Sequence, residues 1–250
     1  MHGLWSEAVV KVSHRLAMHL PVDRVRLRNA TPMVSFTFDD LPKSAVTSGA
    51  DLLEAHGARG TFYVSGSLVG IDTANWRSGD DDDVLSLHRR GHEIGCHTFS
   101  HRRTSDLNET SLAGDIACNR RYFDLLDPSM QIETFAYPFG YGAFAHKRLL
   151  KSRFATCRSI VEGVNFGNVD LQFLRAMPLI DRQMDRDAIE RAFDETQIHN
   201  GWLIFYSHDV AAQPSLYGCS PRLLNHALEA AARRNIPALT MAEAFRWAGA

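Results

Sequence analysis

Short β-branched and aromatic runs alternate along the chain with longer stretches in which apolar residues recur at three- and four-residue spacing. That alternation predicts βα units rather than packed antiparallel sheets. The predicted strands are Met33–Phe38, Gly60–Val64, Glu93–Cys96, Thr134–Tyr137, Phe154–Cys157, Phe173–Met177, Trp202–Tyr206 and Ala238–Thr240. Between them fall predicted helices at Ser44–Ala55, Asp83–Arg90, Ser111–Leu126, Lys147–Ser152, Arg186–His199 and Pro221–Arg234, with a last one at Met241–Trp247. Pro221 suits a first helical turn, and Asn235 with Pro237 stops that helix. Seven or eight such units predict a single α/β domain over residues 31–250, a distorted (β/α)7-type barrel, preceded by a helical extension over residues 1–30. In the extension Leu4, Trp5, Val9, Val12 and Leu16 recur at helical spacing, an apolar face expected to pack on the barrel. The alternative is peripheral contact with a membrane surface, to which Lys11, Arg15, Arg24, Arg26 and Arg28 would add attraction for anionic lipid. The run Asp80–Asp83 lacks the spacing of a calcium loop and reads as a helix cap.

Composition narrows the classes. The 250 residues are 45% hydrophobic and 22% charged, enough to bury a large core. A net charge of −2 and an isoelectric point near 6.6 give no basic face for nucleic acid. Cys96, Cys118, Cys157 and Cys219 are far apart and form no CxxC pair, which excludes a zinc knuckle, suggests no disulfide framework and fits a reducing compartment. No stretch approaches the ~18 apolar residues of a membrane span, and no signal-peptide core is present, so a cytoplasmic location is expected.

The chemistry lies at the ends of the predicted strands, where the βα loops of a barrel converge. One strand runs into Asp39-Asp40, another into His97, a third into Pro138-Phe139-Gly140, and a fourth into His208-Asp209. His97 and His101 are four residues apart, so one helical turn brings both imidazoles to one face. Two His and one carboxylate make a three-ligand set that suits catalytic zinc or an iron(II) facial triad. Adjacent Asp residues after an apolar strand are costly to bury without partners, which disfavours a purely structural role.

Thr37-Phe38-Asp39-Asp40, His97-Thr98-Phe99-Ser100-His101, Phe135-Ala136-Tyr137-Pro138-Phe139-Gly140 and Tyr206-Ser207-His208 together resemble the NodB-homology polysaccharide deacetylases, carbohydrate esterase family 4, over about residues 31–245. The resemblance implies metal-dependent hydrolysis of N-acetyl groups from an amino-sugar glycan or glycolipid. Asp40, His97 and His101 would hold a divalent metal, zinc by preference, which activates a water and polarises the acetamide carbonyl. Asp39 would be the general base, His208 the general acid, and the Phe139 N–H an oxyanion donor, with Tyr137, Pro138 and Tyr206 beside the acetyl group. Three departures matter. Many members carry an arginine where this chain has Ala136, and Arg175 is the expected replacement for orienting Asp39. Phe139 stands for a Tyr, and Tyr206 for a Leu. Trp202 is a candidate sugar-stacking face, though core packing is the commoner role of an aromatic residue in a strand. Two other functions fit the same residues: hydrolysis of a different small amide, and glycan binding without turnover.

Overall fold

The computed structural model describes the backbone of residues 2–249 and the side chains of residues 11–249. Seven parallel strands curl into a half-barrel in the order β6-β5-β4-β3-β2-β9-β8. They are β2 (Met33–Asp39), β3 (Thr61–Val64), β4 (Glu93–Cys96), β5 (Thr134–Ala136), β6 (Thr156–Arg158), β8 (Met177–Pro178) and β9 (Trp202–Ser207). A two-stranded ribbon, β1 (Arg24–Arg26) with β7 (Asn168–Asp170), lies outside the sheet. The strands are short and buried on both faces, as parallel strands covered by crossover helices must be.

Side-chain alternation sorts each strand into two layers. On β2, Val34, Phe36 and Phe38 face the helices, where Phe36 stacks on Phe205 at 5.6 Å. Met33 faces the barrel interior with Tyr63, Ala136, Trp202, Ile204 and Tyr206. The bottom of the barrel is closed by α8 (Met241–Trp247), whose first N–H groups donate inward: Met241 to the Thr61 hydroxyl and Ala242 to the Glu93 carboxylate. Thr61 and Thr134 also donate to Glu93, so its carboxylate accepts three hydrogen bonds rather than standing as an isolated charge.

Several predicted elements shift. Ala238–Thr240 is not a strand; Ala238 makes only an isolated bridge to Val34 before Thr240 caps α8. Phe173–Met177 contributes only Met177 to β8, because residues 171–174 instead close the seam beside β6 through the Leu174 and Cys157 backbones. The Ser44–Ala55 helix opens with a π-helical turn, Ala45–Gly49, before α2 (Ala50–Ala55). The acidic run does cap its helix: Asp80 and Asp83 form a reciprocal capping box at the start of α3 (Asp81–Arg89).

The N-terminal helix α1 (His2–His19) packs on the barrel, but by a different face from the one its apolar spacing predicts. Ala17 is buried, and His14 turns in against Tyr141 and Phe173, whereas Val12 and Leu16 are 56% and 43% exposed. Leu4, Trp5 and Val9 lie outside the described side chains. The anchor is Lys147, fully buried at the start of α5 (Lys147–Lys151). Its ammonium donates to the carbonyls of Ala17 and Leu20, both at 2.8 Å, and to the Asp170 carboxylate. Asp170 in turn accepts the N–H groups of Val22, Asp23 and Gln172. Removing one member of a buried pair leaves the other uncompensated. Lys147→Met is therefore expected to cost roughly 3–5 kcal/mol of unfolding free energy in a denaturant titration and to raise proteolytic cleavage near residues 17–23. A loss under about 1 kcal/mol would show that the pair does not anchor the helix.

Candidate active site

The interior column of the barrel rises from Glu93 at the bottom to a polar cluster at the C-terminal rim. Asp39 is the last residue of β2 and pairs in register with Tyr63. The backbone then turns sharply: Asp40 and Leu41 both have positive φ, 65° and 53°. That turn swings Asp40 off the strand's alternation, so both neighbouring carboxylates reach the rim. Thr98, His101 and Phe139 also have positive φ, at 62°, 50° and 58°. Of the seven non-glycine residues in this conformation among those described, five line this rim; the other two, Asn200 and Asn235, follow helix ends. Backbone strain of this kind costs about 1–3 kcal/mol per residue and persists where surroundings enforce it.

Here the enforcing groups come from α4 (Glu109–Leu126). Asp115 accepts the N–H of Phe99 at 2.9 Å and of Ser100 at 3.3 Å, fixing the loop between the two histidines. One turn on, the fully buried Asn119 donates to the Val64 carbonyl and accepts from Gly66, tying the β3 end to the same helix.

Asp40, His97 and His101 present ligand atoms that all lie within 4.8 Å of one another. Asp40 Oδ1 is 3.2 Å from His101 Nε2 and 3.7 Å from His97 Nε2, and it is buried with no hydrogen-bond donor. Tetrahedral zinc with bonds of about 2.0–2.2 Å separates its ligand atoms by roughly 3.3–3.6 Å, close to the two distances from Asp40, so these residues could hold a divalent metal. The tautomers fit as well. His97 Nδ1 lies 2.8 Å from the Ala136 carbonyl and must donate to it, leaving Nε2 a free lone pair. Burial pushes the His97 imidazole down to about 3, against the opposing pull of Asp39, and also lowers His101; burial thus favours the neutral imidazoles that a metal would need. Burial, with Asp39 adding to it, pushes the Asp40 carboxyl up to about 6 despite His208 and Arg158. A cation between the three ligands is the charge that reverses that penalty.

The group that holds Asp39 is Arg158, not Arg175. Arg158 Nη2 bridges both Asp39 oxygens at 2.5 and 2.6 Å, and the guanidinium is fully buried between the rings of Tyr63 and Tyr206, 5.1 and 5.4 Å away. Burial alone would raise the Asp39 pKa, but Arg158 outweighs it, aided by His97 and His208, and keeps the carboxylate ionised. Ala136 and Arg158 are register partners across β5 and β6, so the arginine reaches the same level of the barrel from the adjacent strand. Arg175 lies outside, its guanidinium donating to the Glu162 carbonyl. The signal for Arg158 was available in the sequence, as a charged residue directly after the predicted strand Phe154–Cys157.

His208, after β9, has Nε2 3.9 Å from Asp40 Oδ2 and Nδ1 3.2 Å from the Tyr217 carbonyl, so Nδ1 carries a proton and Nε2 faces the ligand cluster. Trp76 and Tyr217 flank its ring at 5.4 and 5.6 Å. Tyr137 and Pro138 are buried, with the Tyr137 hydroxyl spent on the Gln172 carbonyl, while Phe139 is half exposed with its ring 4.7 Å from His101. Tyr206 is interior, against Arg158. Trp202 does not reach the site: it begins β9, five residues or about 16 Å before the rim, and is fully buried with its indole N–H on Ser35. Its role is core.

The family model described as polysaccharide deacetylase matches residues 27–153, just over half of the chain. A chitin deacetylase of Arthroderma benhamiae is 32% identical over 97 residues, which is 38% of this chain and 24% of that protein. The chain spans between 4% and 54% of the length of the curated relatives it matches. In fold it is similar to the peptidoglycan N-acetylglucosamine deacetylase Bc1960, with a TM-score of 0.64 at 16% identity over 88% of this chain and 91% of that one. It is also similar to a carbohydrate esterase family 4 pseudoenzyme from Bacillus anthracis, with a TM-score of 0.61 at 14% identity over 92% and 71% of the two chains.

The Asp39–Arg158 pair makes a direct prediction. Arg158→Met leaves a buried carboxylate without its partner and is expected to lower stability by roughly 3–5 kcal/mol. In the Asp39→Asn background the same change is expected to cost much less, since no charge is stranded. Equal losses in the two backgrounds, measured by a double-mutant cycle in denaturant, would show that the pair is not coupled.

Proposed function

Because the chain belongs to the polysaccharide deacetylase family, we propose that its rim site is a metal-dependent N-deacetylase centre acting on an amino-sugar glycan or glycoconjugate precursor. The observation that carries this reading is a carboxylate kept ionised by a buried arginine, next in sequence to one member of an Asp-His-His set able to hold a metal. In this reading Asp40, His97 and His101 hold the metal, with zinc the best match to the donor set. When bound, the metal supplies Lewis acidity toward the acetamide carbonyl and toward water.

The chain's own residues divide the remaining work. Asp39, fixed by Arg158 and unable to turn away, accepts the proton of the attacking water. His208 Nε2 faces the cluster with Nδ1 protonated toward Tyr217, so on gaining a second proton it can deliver one to the leaving amine. The N–H of Phe139, on a rim turn in left-handed conformation, is assigned to the oxyanion, and its service does not depend on the side chain that replaces Tyr. Pro138, Tyr137 and Tyr206 shape the wall beside the acetyl group. The four free cysteines fit a reducing compartment, which favours an intracellular precursor over an extracellular polymer as substrate.

A fold neighbour that is a pseudoenzyme makes glycan binding without turnover the specific competing reading. A binder needs neither a held base nor a poised acid, and this site has both. Acetate release from N-acetylated chito-oligosaccharides separates the two. Chelation is expected to abolish release and zinc to restore it, while Asp39→Asn and His208→Gln each lower kcat about 10²–10⁴-fold with KM little changed. Glycan that binds but is recovered fully acetylated after prolonged incubation with zinc-loaded protein would establish the binding module instead.

A further inference from the structure

Among the described residues, the outer face formed by α1 from Lys11 onward and by β1 has no partner in the fold. With Ala17 buried and His14 turned toward Tyr141, the opposite arc of the helix faces outward. Lys11, Arg15 and His19 recur there at four-residue spacing, all exposed. Alongside runs a second stripe, Val12, Leu16 and Leu20, which are 56%, 43% and 44% exposed. The face continues past the helix: Arg24 and Arg26 stand exposed on one side of β1 while Val25 packs inward, and Arg28 follows on the same alternation. Arg24 shares a cavity of about 600 Å³ with His19 and Pro21, which makes the ends of the two elements one continuous surface.

Charge is segregated here. None of Lys11, Arg15, Arg24, Arg26 and Arg28 forms an ion pair among the described residues, and the one carboxylate within residues 11–28, Asp23, is occupied by Lys151 at 2.6 Å. Of the acids on the cavity wall, Asp170 is neutralised by Lys147, leaving Glu195. The chain as a whole is net −2, so these cations do not reflect a generally basic protein.

We propose that this face docks on an anionic phospholipid bilayer. An apolar stripe beside unpaired cations suits the headgroup boundary, where aliphatic side chains enter the acyl edge and Lys and Arg meet phosphates. A second copy of the chain is the poorer occupant: a two-fold interface would oppose like charges across the patch. A nucleic acid would satisfy the cations but leave the aliphatic stripe in water.

Sedimentation of the full chain with vesicles of phosphatidylcholine, with and without phosphatidylglycerol, tests this independently of any deacetylase activity. Binding is expected only to the anionic vesicles and is expected to weaken with salt. Arg15→Gln and Arg24→Gln should each lower the partition coefficient about fivefold, and Leu16→Ser should lower it without changing the salt dependence, all three with unaltered thermal melting. Equal binding to neutral vesicles, indifference to these substitutions, or no binding to either vesicle overturns the proposal. So would a lipid-free dimer dispersed by Leu16→Ser in sedimentation velocity, preferential capture of an oligonucleotide, or release from vesicles by inorganic phosphate at matched ionic strength.

Discussion

The site is organised by one buried ion pair. Asp39 and Arg158 lie almost or wholly out of solvent, where an unpaired carboxylate or guanidinium is not tolerated. Their attraction must offset the desolvation of both groups, and the structure supplies what that requires: both carboxylate oxygens engaged, and aromatic faces of Tyr63 and Tyr206 against the cation. Such a pair fixes both the charge and the orientation of Asp39, which is what the general-base role proposed for it requires.

The rest of the rim depends on that centre being held rigid. Strained backbone at Asp40, Thr98, His101 and Phe139 aims the side chains, and α4 fixes the loop between the two histidines through Asp115 and ties down the end of β3 through Asn119. The opposite end of the barrel is closed by α8 on Glu93, and the layers between the two ends are largely apolar. Function and packing are thereby separated along the strands, with the chemistry at one end only.

The strand-end rule made much of this legible in the sequence. Asp39, Asp40, His97 and His208 each follow a hydrophobic run, whereas His101 reaches His97 through a loop with positive φ at Thr98 and His101 and not through the helical turn that its spacing suggested. Arg158 escaped because β6 extends one residue beyond the run that predicts it, and β register, which puts Arg158 opposite Ala136, is not written in any local pattern. Arg175 looked suitable because Phe173–Met177 reads as a strand, yet most of that run closes the seam instead. Trp202 sits at the wrong end of its strand, a fact that the 3.3 Å rise per residue already implies. The packing face of α1 was misread for a different reason: Val12 and Leu16 share a helical stripe, but a buried lysine, Lys147, fixes the helix by its C-terminal carbonyls and turns that stripe outward.

Moving the arginine back across the sheet tests the account at its centre. Arg158→Ala is expected to lower acetate release from an N-acetylated chito-oligosaccharide about 100-fold while zinc binding is retained, and adding Ala136→Arg should recover part of that loss, because the two positions are register partners facing the same interior. Full turnover by Arg158→Ala would contradict the claim that Asp39 acts as a base held by Arg158.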